Sequence, residues 1–355
     1  FGPQVSLKVP NLSLVSSSST TDPAGDVALV INGAKVTVAD KFACAPNVAV
    51  PHRIDVIITN KADVSVGSLE AASTVTAGGD AANPVWCGLT VNDAKLTATG
   101  AVTFSSMSPY IGADVSLDNA TLVSEYTSAN AAGMTFGFKG NSYAGNRMVA
   151  RDSRLVCSNS QIQIGYARPD LMSTGKRKGD YSFDVATIEA KGLSLCGGLS
   201  SLGFTNSFVN LLGGRLSFYL DNADLSHTAY FKDTVITNGT LGGSGCSRLV
   251  FDGGSEYFTG YATGAVDLDL VLTNGADFVL ANNGPYFDPP SANAAVCTQC
   301  LDVVGGTFTC KSPDGGTCFF NIGFNANHPN NCALLRVGKG GRANLAYLRI
   351  VYYGN

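Results

Sequence analysis

The chain has 355 residues, a net charge of −4 and only 14 % charged residues, well below the roughly 25 % of typical soluble domains. It has no extended stripe of Lys and Arg, which nucleic-acid binding requires, and no apolar run of the ~18 residues that a membrane helix needs. We therefore expect no nucleic-acid partner and no membrane span. Apolar residues make up 45 %, so the chain can bury a core.

The balance of residue types favours β-structure. The chain contains 41 Gly, and 23 of its 27 acidic residues are Asp rather than Glu. Glu, Lys, Arg and Leu are typical of helix surfaces, whereas Asp, Asn, Gly, Ser and Thr are typical of turns and strands. No stretch shows a sustained apolar period of 3.6 residues. The sequence predicts a chain that is almost entirely β.

An alternating segment opens the chain, in which Val5, Leu7 and Val9 share one face. A polar connector, SSSSTTDPAG at residues 16–25, follows it and has the composition of a flexible linker. We divide the chain into residues 1–25, a strand and linker, and residues 26–355, the body, with a further boundary near residues 75–85. The first strand is expected either to cover its own sheet or to pair with a neighbouring subunit.

Short alternating strands separated by Asn, Asp or Gly recur through the body. The segment LVLTNGADFVLAN, residues 270–282, read alone predicts a β-hairpin. Because similar segments recur at irregular spacings of a few tens of residues, they favour a parallel β-helix (β-solenoid) with irregular loops, whose corners are turned by residues that tolerate left-handed backbone. A set of β-sandwich domains is the alternative. The predicted corners are Asn32, Asp93, Asn119, Asn222, Asn238, Asp252 and Asn274.

Residues that could carry catalysis are sparse. The chain has no Asp-Asp pair, no HExxH and no GxSxG, and its Asp residues fall mostly in corners. Asp267 and Asp269 share one face of a strand and could hold a cation, although an exposed strand face explains them as well. His52, His227 and His328 are expected on the surface or in loops, and the basic run at residues 176–178 at a loop tip. We expect no enzyme activity and no cofactor.

Ten Cys residues, an even number, suit an extracellular chain in which they pair. Five of them fall within 36 residues and include a CxxC, so a zinc site is the alternative. Connectivity cannot be read from the sequence. The chain begins with Phe, and a removed signal peptide is the simplest explanation, which indicates an extracellular or cell-surface protein. The disulfide candidates are Cys44, Cys87, Cys157, Cys196, Cys246, Cys297, Cys300, Cys310, Cys318 and Cys332.

The strand–Asn/Asp–Gly–strand units of residues 25–350 resemble those of extracellular β-solenoid surface proteins, such as autotransporter passengers, phage tailspikes and prokaryotic sheath or surface-layer proteins. The low charge, the many Gly and Ala and the Cys content look similar to those of methanogen sheaths. Solenoid enzymes of the polygalacturonase type carry an Arg-Ile-Lys segment, whereas here Arg349-Ile350 is followed by Val351. The resemblance therefore implies a surface protein rather than such an enzyme.

Both ends of the chain are apolar strands without a capping helix. Because open strand edges invite pairing with another chain, we predict a structural subunit of an extracellular filament, sheath or surface lattice that assembles with copies of itself and is stabilised by disulfides. A glycan-binding or glycan-cleaving adhesin is the alternative, in which Tyr257, Phe258, Tyr261, Tyr286 and Phe287 would stack on a surface glycan. The assembly candidates are Val5, Leu7, Val9, Leu348, Ile350 and Tyr352.

Overall fold

The structure, a computed structural model, describes residues 1–15, 26–45, 53–71, 85–104, 111–128, 131–137, 146–165, 179–196, 199–219, 228–243, 247–263, 268–281, 286–287, 298–312, 319–325 and 332–353. These residues form β-strands joined by turns, and no helix occurs among them. The all-β prediction is confirmed.

The strands are numbered in chain order. They are β1 (Ser6–Val15), β2 (Val27–Asn32), β3 (Lys35–Ala45), β4 (Arg53–Thr59), β5 (Asp63–Ala71), β6 (Val85–Asn92), β7 (Lys95–Ala98), β8 (Val102–Phe104), β9 (Ile111–Asp118), β10 (Thr121–Ser124), β11 (Ala132–Phe136), β12 (Asn146–Arg151), β13 (Arg154–Cys157), β14 (Gln161–Ile164), β15 (Gly179–Asp184), β16 (Thr187–Ala190), β17 (Leu193–Cys196), β18 (Leu199–Thr205), β19 (Phe208–Asn210), β20 (Arg215–Tyr219), β21 (Thr228–Lys232), β22 (Val235–Gly243), β23 (Ser247–Asp252), β24 (Ser255–Thr263), β25 (Leu268–Thr273), β26 (Asp277–Ala281), β27 (Tyr286–Phe287), β28 (Thr298–Val304), β29 (Thr307–Lys311), β30 (Phe319–Asn325), β31 (Cys332–Val337), β32 (Arg342–Leu345) and β33 (Tyr347–Tyr353).

The segment that resembles a hairpin is the corner of a parallel coil. Its two strands, β25 and β26, do not pair with each other: β25 pairs with β23 and β28, and β26 pairs with β24 and β29, all in parallel. Each coil thus contributes strands to two sheets and stacks on the coil before it. The predicted parallel β-helix is confirmed, and the alternative of β-sandwich domains, which need antiparallel pairs, is wrong.

The chain divides into two compact units. Unit 1 comprises Phe1–Lys191 and Cys196–Ser200, and unit 2 comprises Gly192–Leu195 and Ser201–Asn355. This division lies far from the boundary predicted near residues 75–85, most of which fall outside the described residues. The predicted first segment begins with β1, which pairs in parallel with β3, and the linker predicted at residues 16–25 lies outside the described residues. Covering its own sheet is one of the two arrangements predicted for this strand.

Unit 1 consists of two parallel stacks of strands. One stack runs β2–β4–β6–β9–β12–β15, and the other begins β1–β3–β5. From there the second stack divides, because the long strand β5 pairs with both β7 and β8 of the next coil. It continues as β7–β10–β13–β16 and as β8–β11–β14.

Unit 2 repeats this plan. One stack runs β18–β21–β23–β25–β28–β31, and the other runs β22–β24–β26–β29–β32, with β19 and β20 both paired to β22. A side ladder of β27, β30 and β33 is joined to β31 by the antiparallel pair Phe324 and Cys332. Coil length varies from 20 residues (Ile236 to Glu256) to 35 residues (Phe308 to Ala343), because the loops differ in length.

Parallel register places equivalent side chains above one another, so the core consists of columns. In unit 1 a column that ends just before the corner is largely aliphatic: Ile31, Ile58, Val91, Leu117, Ala150 and Phe183. The column at the same place in unit 2 contains Phe204, Phe231 and Phe251, whose neighbouring rings stack with centroids 5.0 and 4.9 Å apart. Every one of these residues is at most 1 % exposed. The strands therefore alternate between this interior and an outer face.

Candidate functional site

The corners turn through left-handed backbone. Asp93, Asn119, Asn238 and Asn274, all predicted corner residues, have φ between 46° and 59°. Asn32 and Asp252 instead precede the corner, and the positive φ is found at the residues that follow them, Gly33 and Gly253. Asn222 lies outside the described residues. Asn238 differs from the others because it lies inside β22, where the long strand bends.

The corner side chains bond from one coil to the next. The Asn119 amide donates to an Asp93 carboxylate oxygen at 3.0 Å, and the Asn60 amide donates to the Asn32 side-chain oxygen at 2.6 Å. In unit 2 the Asn274 amide donates to Asp252 at 2.5 Å. Stacked Asn and Asp therefore hold successive coils in register, in addition to turning the chain.

A small buried residue directly follows most of these turns, a signal that sequence reasoning missed. The motif is visible in the sequence as NGA, NKA, DNA, RDS, DVA, TNS and KDT. Each small side chain lies under the residue of the next coil, and a larger one would push the coils apart. The buried residues are Ala34, Ala62, Ala120, Ser153, Ala186, Ser207, Thr234 and Ala276.

In the first coil of unit 1, side chains that point into the core are partly exposed to solvent. The interior residues Leu7 and Val9 on β1 are partly exposed, whereas their partners on β3, Val36 and Val38, are 0 and 1 % exposed. The outer edge of β1 pairs with no other described strand. Val5, the third candidate at this end, is 36 % exposed and its carbonyl accepts a bond from the backbone of Lys35.

Phe1 continues a column of the stack that begins with β2. Its ammonium group donates to the Val30 carbonyl at 2.8 Å, and its carbonyl accepts from the Asn32 amide at 2.8 Å. In a parallel ladder, a residue that bonds to the residues before and after a given position lies opposite that position. Phe1 therefore lies opposite Ile31 and is the outermost residue of the Ile31 column. Ile31 is fully buried, whereas Phe1 is 45 % exposed.

The last coil of unit 2 is open in the same way. Val337 on β31 is 48 % exposed, although its partner Val303 is fully buried. On β32, Ala343 and Leu345 are partly exposed, while their partner strand β29 buries its interior residues. The outer edge of β32 pairs with no other described strand.

The predicted C-terminal assembly residues belong to another ladder. Leu348, Ile350 and Tyr352 lie on β33, which pairs with β30 rather than with β32. Leu348 is 46 % exposed, and the side chains of Ile350 and Tyr352 lie outside the described residues. The open edge at this end is therefore that of β32, a strand that sequence reasoning did not select.

The disulfides predicted for Cys44, Cys87, Cys157, Cys196 and Cys300 are not found: these five described residues carry free, buried thiols. Within its own sheet Cys44, for example, lies between Leu14 and Ala71 rather than beside another Cys. The thiols behave as small apolar side chains, and burial raises the pKa of Cys44 and of Cys196 to about 12. Cys310 is also buried, and the side chains of Cys246, Cys297, Cys318 and Cys332 lie outside the described residues.

One cluster of carboxylates and a thiol lies on the outer face of unit 2. The ligand atoms of Asp269, Cys300 and Asp302 lie within 4.8 Å of one another. Two guanidinium groups occupy the same surface: Arg336 bonds both oxygens of Asp302 at 2.5 and 2.6 Å, and Arg248 lies 3.5 Å from Asp269. The Arg336 guanidinium lowers the pKa of Asp302, whereas burial raises the pKa of Cys300 to about 11. The arrangement is that of an ion-pair network, and the predicted partner Asp267 lies outside the described residues.

Glu256 is a buried carboxyl group in the core of unit 2. It is 0 % exposed, and neither carboxylate oxygen has a hydrogen-bond partner among the described residues. Its column neighbours are Ile236 and Phe278. Burial, together with the charge of Asp277, raises its pKa to about 9, so the carboxyl group is neutral at pH 7. The stretch GGSEYF contains no signal beyond alternation that would place this Glu inside.

The aromatic residues predicted to bind glycan are only partly on the surface. Phe258 is fully buried in the core, while Tyr257 faces outward with the ammonium group of Lys311 5.4 Å from its ring centroid. Tyr261 is half-buried, and the side chains of Tyr286 and Phe287 lie outside the described residues, as do His52, His227, His328 and the basic run at residues 176–178.

No protein-family model matches the chain, and neither a curated protein nor a solved structure shows significant similarity to it. The described residues contain no helix with the length and hydrophobicity needed to cross a membrane.

Proposed function

We propose that the protein is a structural subunit of an extracellular polymer that assembles by stacking one solenoid end on another. The observation that carries the proposal is the contrast in exposure between equivalent residues: Val337 is 48 % exposed where Val303 is fully buried, and Leu7 is partly exposed where Val36 is fully buried. An added coil would bury both sets, with a gain of about 25 cal/mol per Å² of apolar surface.

The geometry of each end supports head-to-tail rather than head-to-head assembly. Within the two stacks of each unit, successive coils pair in parallel, so each coil covers the coil before it in the same orientation. A second copy placed in that orientation brings β32 against β1, two strands whose outer edges pair with no other described strand. Such a contact joins unlike surfaces, and its repetition gives a filament when the rotation does not close into a ring.

The five described free thiols have no covalent role in this proposal. Backbone pairing and apolar burial stabilise the polymer, and the corner amides set the register of the coils. Secretion and a cell-surface location remain part of the proposal, as does the relation to sheath or surface-layer proteins. A surface glycan as partner remains a prediction without a supporting contact.

Electron microscopy and analytical sedimentation of the purified protein test the proposal. Leu7→Glu places a charge on the open face of β1 and should block one end, so that adding it to the wild type shortens the polymers. The matched control Ser13→Glu introduces the same charge at an exposed, outward residue of the same strand and should leave polymer length unchanged. A wild-type protein that remains monomeric at all concentrations, with both ends intact, would refute the proposal.

A further inference from the structure

The first four residues of β1 match the four residues of β32 in their alternation of inward and outward side chains, and we infer that β32 of one copy pairs in parallel with β1 of the next copy, with Arg342 opposite Ser6. This inference rests on the proposed function and names the contact that builds the polymer. It follows from the internal register of both units. In unit 1 the first residue after the corner pairs with the first residue of the next coil, Ser6 with Lys35, and in unit 2 Thr307 pairs with Arg342 in the same way.

This register continues both core columns across the junction. Ala343 stacks on Leu7 and Leu345 stacks on Val9, and all four are interior residues that are partly exposed in the single chain. A small residue thus meets a larger one at the first position, as in a packed core.

The other stack, which begins with β2 in unit 1 and ends with β31 in unit 2, agrees with this register. Phe1 is the outermost member of the Ile31 column and is 45 % exposed; Val337 is the outermost member of the equivalent column in unit 2 and is 48 % exposed. At the junction Phe1 lies against Val337. The register that pairs β32 with β1 therefore also brings together the most exposed interior residue of each end.

Pro10 marks where the pairing stops. β32 has four residues, Arg342–Leu345, and in this register they face the four residues 6–9. The next residue of β1 is Pro10, which has no amide hydrogen and sits at the register shift between Val9 and Asn11. After Leu345 the chain leaves this stack and forms β33, which pairs with β30. The paired length thus ends where the donor is missing.

Registers shifted by one residue, or by two residues in one direction, are unfavourable. A shift of one residue pairs the interior residues Ala343 and Leu345 with outward residues of β1 and pairs Arg342 with an interior position, because side chains alternate along a strand. A shift of two residues in one direction places Arg342 opposite Lys8, two like charges on neighbouring strands. In the inferred register, Arg342 faces Ser6 and Asn344 faces Lys8, so neither outward position joins like charges.

Cysteine cross-linking between two variants tests the register. Lys8→Cys and Asn344→Cys are prepared as separate full-length proteins, mixed, and treated with a short bismaleimide; both positions point outward and are opposite each other in the inferred register. We expect dimers linked between the two variants to form at least about tenfold faster than in the control mixture of Ser13→Cys with Asn344→Cys. Wild-type protein measures the background from its own thiols.

The outcomes separate this inference from the proposed function. Polymers in which Ser13→Cys cross-links to Asn344→Cys faster than Lys8→Cys does would overturn the register and leave the polymer intact. Absence of both polymer and cross-link would overturn the two together. If Lys8→Cys impairs assembly, the in-register pair Ser6→Cys and Arg342→Cys replaces it, and failure of that pair to cross-link in formed polymers also overturns the register.

Discussion

Units 1 and 2 share one backbone arrangement but differ in the side chains that form their core columns. The column that begins just after the corner contains Val36, Val64, Leu96, Leu122, Leu155 and Ile188 in unit 1. In unit 2 the equivalent column contains Val209, Ile236, Glu256, Phe278, Phe308 and Ala343. The comparison teaches that the backbone ladder and the corners define the coil, whereas the column tolerates aliphatic side chains, stacked rings and even a buried carboxyl group.

The largest expected difference in stability between the units comes from the buried carboxyl group of Glu256 in unit 2. The pKa of Glu256 is raised from 4.5 to about 9 in the folded state, so between these values the folded chain keeps a proton that the unfolded chain releases. The free energy of unfolding of unit 2 should therefore decrease as pH rises, by about 3 kcal/mol at pH 7 and about 6 kcal/mol above pH 9, relative to pH 4.

Glu256→Leu should abolish this pH dependence and stabilise unit 2 by about 3 kcal/mol at pH 7, since the carboxyl group is replaced by an apolar side chain of similar size. Hydrogen exchange of peptides from each unit, measured between pH 5 and pH 9 with correction for the intrinsic rate, reports the effect. Glu125→Leu, at an exposed residue of unit 1, is the control. An unchanged pH dependence of unit 2 in Glu256→Leu would show that Glu256 is ionised in the fold.

The second expected difference in stability between the units comes from the column of stacked Phe rings in unit 2. Phe231→Ala removes a fully buried ring that stacks on both Phe204 and Phe251, and it should destabilise unit 2 by about 4 kcal/mol. Ile58→Ala in the equivalent column of unit 1 removes fewer atoms and should cost about 3 kcal/mol. Denaturant unfolding, followed by exchange in each unit, measures both. Equal losses would mean that the stacked rings contribute no more than their buried area.

The corners give the smallest effect, because their chemistry is shared by both units. Val185 is the one β-branched residue with positive φ among the described residues (φ 53°), and it is 49 % exposed. Val185→Asn should stabilise unit 1 by about 1 kcal/mol, because Asn tolerates left-handed backbone better and no buried surface is lost.

The reverse substitution, Asn119→Val, is the matched test. It forces a β-branched residue into φ 46° and removes the bond to Asp93, so it should destabilise unit 1 by about 1–2 kcal/mol. The shift in denaturant midpoint measures both changes. Stabilisation by Asn119→Val would contradict the corner argument.

Parts of the site were within reach of sequence reasoning, and others were not. Leu7 and Val9 were identified because strand alternation near the chain start is visible in the sequence. The edge of β32 was not identified, because only the pairing of β33 with β30 shows that the last strand belongs to another ladder. Glu256 could not be placed either, since alternation allows either face and only the register between Ile236 and Phe278 puts it inside.

The sequence by itself determined the strands, the corners and the coiled path, because alternation and left-handed turns are local properties of a few residues. Only the tertiary structure decided the register of the coils, the position of thiols such as that of Cys44 in apolar columns, and the strands left open at each end. Those properties depend on which residues, 20 to 35 positions apart, come to lie side by side, and loop lengths that vary from coil to coil do not encode that distance in any repeating pattern.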